Sequence, residues 1–257
     1  MSSHDPCPAI TLSARTDPVR LLLSPAPWKA VAFLGGYLLI SWILLAIALT
    51  AAAVGLVFAI TLAGLPVMVA ASGAIRFAAG TERQRLRHVL AGPVRSGYRE
   101  PAKAGVVAQA RTRWQDPATW RDLAYLIGLW APLYALDLIV LTVWITLLGL
   151  VAAPVWYQFP EQDLAFGATA HGIQLGYFPN GPHGPGGYGF YITTLPQAFL
   201  AAACALIVFL LFNYVLVATA RAHAVIARNL LRPPADPLAD AKTVMAGPRP
   251  LGPLQPH

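Results

Sequence analysis

Residues 30–75 read AVAFLGGYLLISWILLAIALTAAAVGLVFAITLAGLPVMVAASGAI and contain no charged side chain. A transmembrane helix needs about 20 apolar residues, so this stretch is long enough for two crossings joined by a tight turn. Gly55 or the glycine and proline of residues 64–66 could form that turn, and we place it between residues 52 and 66. The stretch therefore predicts a pair of membrane-spanning helices.

The composition of the whole chain also indicates a membrane protein. Of 257 residues, 57% are apolar and 11% are charged, and the mean hydropathy is +0.58, whereas a soluble domain carries about 25% charged residues. The net charge of +7 does not indicate nucleic-acid binding, because the placement of the basic residues around the apolar stretches explains it. Cys7 and Cys204 offer neither a disulfide framework nor zinc-site spacing, and no cofactor is expected.

Two further apolar stretches follow a polar connector. Residues 123–155 form the third predicted span, with Asp137 as their only charged residue, and residues 193–220 form the fourth. The second and fourth spans each continue into a charged helix that proline closes, at Pro93 and Pro233. The predicted fold is an all-α membrane protein with four transmembrane helices, arranged as two in-out-in hairpins with cytoplasmic helical extensions.

The chain divides into three predicted parts. Residues 1–27 and 233–257 are rich in proline and predict disordered cytoplasmic tails, while residues 28–232 form the membrane domain. The first tail lacks the short apolar core of a signal peptide. Residues 154–192, rich in glycine and flanked by aromatic residues, form a large loop on the outer side.

The positions of the 18 lysines and arginines predict the topology. Three precede the first span, ten lie between the second and third spans, five follow the fourth, and the 154–192 loop has none. The positive-inside rule then places both termini and the connector in the cytoplasm of a multi-pass cell-membrane protein. Residues 104–114 within the connector could lie as a short helix on anionic membrane lipid or form an ordinary solvated segment.

A faint internal repeat relates the two predicted hairpins. Residues 37–42 read YLLISW and residues 125–130 read YLIGLW, and each hairpin ends in an arginine-bearing helix closed by proline. The repeat predicts two hairpins of the same orientation, the second with the large outer insertion. Parallel repeats of this kind occur in membrane proteins.

Residues 116–125 read DPATWRDLAY. This segment resembles the signature of the sensor domain of actinobacterial two-component histidine kinases, and residues 36–39, 154–157 and 194–198 give weaker matches. The matching motif residues are Asp116, Pro117, Trp120, Arg121 and Asp122. The resemblance covers residues 25–232 and implies a four-helix membrane domain with no catalytic residues.

In that family the domain precedes a kinase or occurs alone. Since only a short proline-rich segment follows Arg232, the resemblance implies a stand-alone copy without the kinase part. Its partner would be a histidine kinase or another signalling protein in trans, or a second copy of the chain. Residues 82–88 superficially suggest a phospho-acceptor helix, but the sequence has no ATP-binding glycine motif, so a basic juxtamembrane helix is predicted there.

Asp137 is the strongest candidate for a functional residue. A carboxylate at mid-span costs on the order of 2.5–3.5 kcal/mol, so we expect it to face the interior of the helix bundle. Thr50, at matching depth in the repeat, and Thr61 are its predicted partners. Asp137 could act as a proton or ligand sensor, or as a neutral hydrogen-bonded packing residue.

The outer loop contains the other ionisable candidates, His171 and His183, together with Glu161 and Asp163. The histidines could protonate as a pH switch, and the group could bind a metal. Their spacing matches no known metal site, so ordinary surface residues are expected.

The sequence as a whole predicts a non-catalytic membrane module that detects an envelope or membrane cue and passes it to a partner. The alternative is a small transporter or channel subunit that uses Asp137. A membrane enzyme ranks third, because no arrangement of nucleophile and base is visible.

Overall fold

The computed structural model of the chain describes residues 9–12, 17–59, 64–99, 105–163, 169–177 and 186–233. Most of these residues are helical. The helices are α1 (Pro18–Leu22), α2 (Pro25–Phe58), α3 (Gly64–Leu86), α4 (Val106–Trp114), α5 (Pro117–Leu123), α6 (Trp130–Val151), α7 (Ala153–Trp156) and α8 (Leu195–Leu231). A π-helical turn (Ala124–Gly128) lies between α5 and α6.

Four of these helices, α2, α3, α6 and α8, are long and apolar enough to cross a membrane. This confirms the number of spans that the sequence predicts. α2 ends at Phe58 and α3 begins at Gly64, so the break falls inside the predicted window. α3 is the least apolar of the four, with a mean hydropathy of 1.2 against 2.6 for α8, because its second half is charged.

The outer loop contains β-structure that the all-α prediction did not include. Its strands are β1 (Glu161–Asp163), β2 (Thr169–His171), β3 (Ile173–Tyr177) and β4 (Tyr188–Ile192), paired as the antiparallel hairpins β1–β2 and β3–β4. In the second hairpin Gly176 pairs with Gly189, and a Cβ on Gly176 would lie 2.3 Å from the carbonyl oxygen of Tyr188. The loop glycines therefore allow two strands to approach closely rather than only forming flexible turns.

The chain forms two compact units. The connector unit comprises residues 1–11, 40–131 and 224–257, and the loop unit comprises residues 12–39 and 132–223.

In the connector unit, α4 and α5 pack against α3. The indole nitrogen of Trp114 donates to the carbonyl oxygen of Met68 (3.0 Å), and Arg113 donates to that of Val69 (3.2 Å). Farther along α3, Arg76 approaches Asp116 at 3.3 Å. The polar connector is thus fixed to α3 by side chains that satisfy backbone and carboxylate oxygens.

The N-terminal segment contains a short helix and a β-bridge. Residues 18–22 form α1. Asp17 caps the N-terminus of this helix by accepting a hydrogen bond from the backbone N–H of Val19 (3.0 Å). Ile10 forms an antiparallel bridge with Leu90, beyond the end of α3. This bridge joins the start of the chain to the connector unit.

In the loop unit, the first part of α2 packs against α6 and α8. Trp28 meets Trp144 with ring centroids 5.7 Å apart, and Tyr37 meets His223, which bonds Asp137. Trp28 precedes Tyr37 along α2, whereas Trp144, the partner of Trp28, follows Asp137 along α6. This part of α2 is therefore antiparallel to α6 within the unit, whereas the repeat predicted the same direction for the two helices.

Candidate functional site

Asp137 and His223 form a buried pair in the loop unit. Nδ1 of His223 lies 2.8 Å from Oδ2 of Asp137, and both side chains have no exposed surface. Asp137 belongs to the buried stripe of α6, together with Leu133, Val140 and Trp144, which recurs at helical spacing. The structure therefore buries Asp137, as its position in the sequence predicts.

His223 is the partner of Asp137 in the described part of the chain, where the sequence suggested Thr50 and Thr61. Thr50 belongs to the connector unit, and Thr61 lies outside the described residues. Depth matching in the weak repeat suggested Thr50, and the returning helix suggested Thr61, whereas the described partner, His223, comes from α8. A histidine at the end of an apolar helix was the sequence signal that could have identified it.

Aromatic rings enclose the pair. The rings of Phe33 and Tyr37 meet the His223 imidazole edge to face, with centroids 5.3 and 4.6 Å away. Oδ1 of Asp137 is buried and has no hydrogen-bond partner in the described part of the chain. The pair is thus a buried, partly satisfied polar site, whose hydrogen bonding must change if a proton is gained or lost.

The loop histidines do not join this site. His171 lies exposed on β2, opposite Glu161 in the strand register, and His183 is outside the described residues. Among the residues that the structure describes, no three histidine, cysteine or acidic side chains come together as a metal site would require.

A second polar cluster, in the connector unit, centres on Arg83. Its guanidinium donates to Asp122 (2.6 Å), to the Tyr98 hydroxyl (2.7 Å) and to the carbonyl oxygen of Leu231 (3.0 Å). The Tyr98 hydroxyl in turn donates to the other oxygen of Asp122 at 2.6 Å. We call these four residues the Arg83 cluster, and it fastens the last turn of α8.

Burial controls the ionisation of this cluster. It raises the pKa of the Asp122 carboxyl, although the neighbouring Arg83 acts in the opposite direction. Burial also raises the pKa of the Tyr98 phenol, and the adjacent Asp122 carboxylate raises it further. The phenol therefore stays protonated and remains a hydrogen-bond donor.

The residues beside Arg83 are buried as well, which corrects the interpretation of residues 82–88 as a simple basic juxtamembrane helix. Glu82 is fully buried, and it accepts from Arg85 (2.7 Å) and from the Tyr125 hydroxyl (3.0 Å). Tyr125 lies in the π-helical turn that precedes α6. The start of α6 is thus tied to the end of α3 by a carboxylate and a phenol.

The motif at residues 116–122 forms further polar contacts in the connector unit. Asp116 caps α5 by accepting from the backbone of Ala118 (3.0 Å), and Pro117 occupies the first turn, as the sequence predicts. Arg121 donates to the carbonyl oxygen of Asn229 in α8, and the exposed Trp120 donates to that of Trp114 (2.9 Å). Through these hydrogen bonds the motif holds the connector and the end of α8 in place.

Comparison with models of known protein families gives one match. A family model described as "Putative sensor" matches residues 33–231. The chain belongs to this sensor family. No curated protein matches it, and no solved structure does. The matched region of this sensor-family chain contains both polar sites, from Phe33 beside the buried pair to Leu231 in the Arg83 cluster.

Replacing Asp116 with alanine is expected to lower the free energy of unfolding by about 1–2 kcal/mol, since it removes the N-cap of α5. It also removes the acceptor for Arg76 and for the backbone N–H of Arg99. Thermal unfolding in detergent measures the effect. Asp116→Asn is the matched control because it retains a capping oxygen, and equal losses in the two variants would show that capping contributes little.

Proposed function

We propose that this chain is a non-catalytic signal-input module of the cell membrane. In this proposal, changes near the buried pair alter the position of α8, and a cytoplasmic or membrane partner reads its final turn. Family membership supports a sensory role, and the four apolar helices support a multi-pass membrane location.

The observation that carries the proposal is the continuity of α8, a single helix of 37 residues from Leu195 to Leu231. The helix contains His223 of the buried pair. Farther along, the carbonyl oxygens of Asn229 and Leu231 accept hydrogen bonds from Arg121 and Arg83. Eight residues separate His223 from Leu231, a rise of about 12 Å along a helix. A shift or rotation of α8 at His223 would therefore act on the polar contacts of its last turn.

The proposed output is a change between two arrangements of the end of α8. A cue that stabilises one arrangement shifts the population only by its difference in affinity for the two. We propose a histidine kinase or another signalling protein of a two-component system as the partner, or a second copy of the chain. The partner would act in trans, and the chain itself would have no autokinase activity.

We expect Asp137→Asn to change the exchange of backbone amides in residues 226–231, because the amide side chain alters the bond to His223. Hydrogen exchange of the protein in nanodiscs measures this effect. Ser41→Ala is the matched control: Ser41 is a buried polar residue of α2 whose hydroxyl has no partner in the described part of the chain.

Unchanged exchange at the end of α8 in Asp137→Asn would contradict the proposed coupling. The free Oδ1 of Asp137 favours the second candidate, a transporter or channel subunit. Proton or solute flux in liposomes that Asp137→Asn abolishes, together with unchanged exchange, would replace the sensory proposal with that candidate.

We propose that the connector and both termini are cytoplasmic and that the 154–192 segment lies outside. The positive-inside rule favours this topology, and the bridge between Ile10 and Leu90 supports a tail and a connector on the same side. The antiparallel contact of α2 with α6 in the loop unit counts against it, because four crossings of this kind give the two helices the same direction. Single cysteines at Ser3, Arg99 and His171 in a cysteine-free background test the proposal with an impermeant reagent on intact cells. His171 is preferable to Gly172, where a Cβ would lie 2.6 Å from the carbonyl oxygen of Ile192.

Labelling of the cysteine at position 171 alone is the expected result. Labelling at position 99 would invert the topology. Labelling at both 3 and 171 would place the two positions on the same side of the membrane, with an even number of crossings between them. An antiparallel α2 and α6 would produce this arrangement, and it would overturn the four-crossing topology.

A further inference from the structure

The β3–β4 hairpin has one entirely apolar face. Residues directly opposite in an antiparallel pair project on the same side of the sheet, and neighbours along a strand alternate. The register pairs Ile173 with Ile192, Leu175 with Phe190, and Tyr177 with Tyr188. Those three pairs share one face, which contains no charged and no amide side chain.

Only the inner end of this face is covered by protein. Ile173 and Ile192 are buried in a small core with Ala153, Tyr157 and Ala198. Toward the tip, Phe190 is 77% exposed, Tyr188 73% and Tyr177 57%. Two-stranded hairpins are marginal in water by themselves, and this one leaves most of the surface of its tip aromatic side chains uncovered by the described part of the chain.

The exposed apolar surface continues on the helices that hold the hairpin. Val155 in α7 and Phe159 beyond it are 79% and 77% exposed, and Leu195 and Phe199 at the start of α8 are 46% and 58% exposed. α8 is a membrane-spanning candidate, so lipid would cover its exposed apolar residues in a bilayer. The hairpin face adds to the exposed apolar surface at the start of this helix.

We infer that the apolar face of the β3–β4 hairpin inserts into the interfacial region of the outer leaflet. Tyrosine and phenylalanine rings suit that region, where a phenol can reach water while the ring contacts acyl chains. The tip carries such a pair in Tyr177 and Tyr188, with ring centroids 5.8 Å apart. The opposite face, with Gln174 and Tyr191, is half-buried and would lie away from the acyl chains.

This lipid contact also bears on the cue, a role that rests on the proposed function. Ile192 packs in the same small core as Ala198 of α8, and Gln197 accepts from the backbone N–H groups of Thr193 (3.1 Å) and Thr194 (3.3 Å). Two short connections therefore link the hairpin to the first turn of α8. A bilayer that moves the hairpin would move the start of that helix.

Nitroxide labels on single cysteines test the insertion in the full chain, reconstituted in nanodiscs of phosphatidylcholine and phosphatidylglycerol. Cys7 and Cys204 are first replaced by serine and alanine. Phe190→Cys and Tyr188→Cys report on the apolar face, and Gln174→Cys on the opposite face is the matched control. We expect the ratio of collision rates with oxygen to those with a water-soluble nickel complex to be severalfold higher at 188 and 190 than at 174.

Equal ratios at the three positions would overturn the inference, because all three would then face water. Spectra at 188 and 190 that lose dipolar broadening on dilution with unlabelled protein would also overturn it, by identifying a second copy of the chain on this face. The measurement does not involve the end of α8. Failure of the proposed coupling would leave a positive result intact, and a negative result would leave the coupling intact.

Discussion

Replacing His223 with leucine is expected to lower the free energy of unfolding by about 3 kcal/mol, because it leaves a buried polar group without its partner. The reason is the Asp137 carboxyl, which has no exposed surface and whose Oδ1 already lacks a partner among the described residues. Without His223 it would lose its 2.8 Å contact as well. Unfolding of the protein in mixed detergent micelles, monitored by circular dichroism, measures the change.

The double variant Asp137→Leu/His223→Leu separates this explanation from loss of packing. Apolar residues of similar volume often replace a buried polar pair with little loss of stability, so we expect the double variant to recover most of the stability. A double variant as unstable as His223→Leu alone would show that the imidazole mainly provides packing against Phe33 and Tyr37, whose rings enclose it.

Replacing Arg83 with alanine is expected to have a comparable effect, about 3–5 kcal/mol, with a local signature. The change leaves the buried Asp122 without its guanidinium partner and the carbonyl oxygen of Leu231 without a donor. We expect the amides of residues 226–231 to exchange faster with solvent, while the amides near Asp137 keep their protection. Hydrogen exchange with mass spectrometry resolves the two regions.

Arg83→Lys is the informative comparison, because an ammonium group cannot reproduce the planar fork of a guanidinium. It should keep a contact with Asp122 and lose those with Tyr98 and Leu231. If Arg83→Lys protects residues 226–231 as well as the unchanged chain does, the cluster does not fasten α8. Arg20→Ala serves as a surface control, since its ion pair with Asp17 is exposed.

The helices and several local features could be predicted from sequence because they depend on neighbouring residues. Uninterrupted apolar stretches identified the spans, and the order of Asp116 and Pro117 identified the start of α5, which the structure confirms. The break between α2 and α3 also lies within its predicted window. Each of these features follows from hydropathy or from capping chemistry within one or two turns.

The pairings between distant residues could not be predicted in this way. Asp137 and His223 are 86 residues apart, and which faces of two uniformly apolar helices meet depends on their packing. Arg83 lies in a run of basic residues that is typical of a solvated helix, yet its neighbours bury it. The strands of the outer loop were missed because their many glycines favour turns. Only the cross-strand register shows that these glycines allow the two strands to approach closely.

The length of α8 makes bilayer thickness important for how this membrane-spanning candidate would lie in a membrane. At 37 residues the helix is about 55 Å long, while the hydrocarbon core of a bilayer is about 30 Å thick. The difference must be taken up by tilting or by protrusion into the headgroups and the aqueous phase. A thinner membrane would favour a larger tilt of the helix from the bilayer normal. A thicker membrane, with sterols or with longer acyl chains, would favour a more upright helix. Adaptation of lipid composition to temperature would therefore change the conditions under which this chain operates, without any change in its sequence.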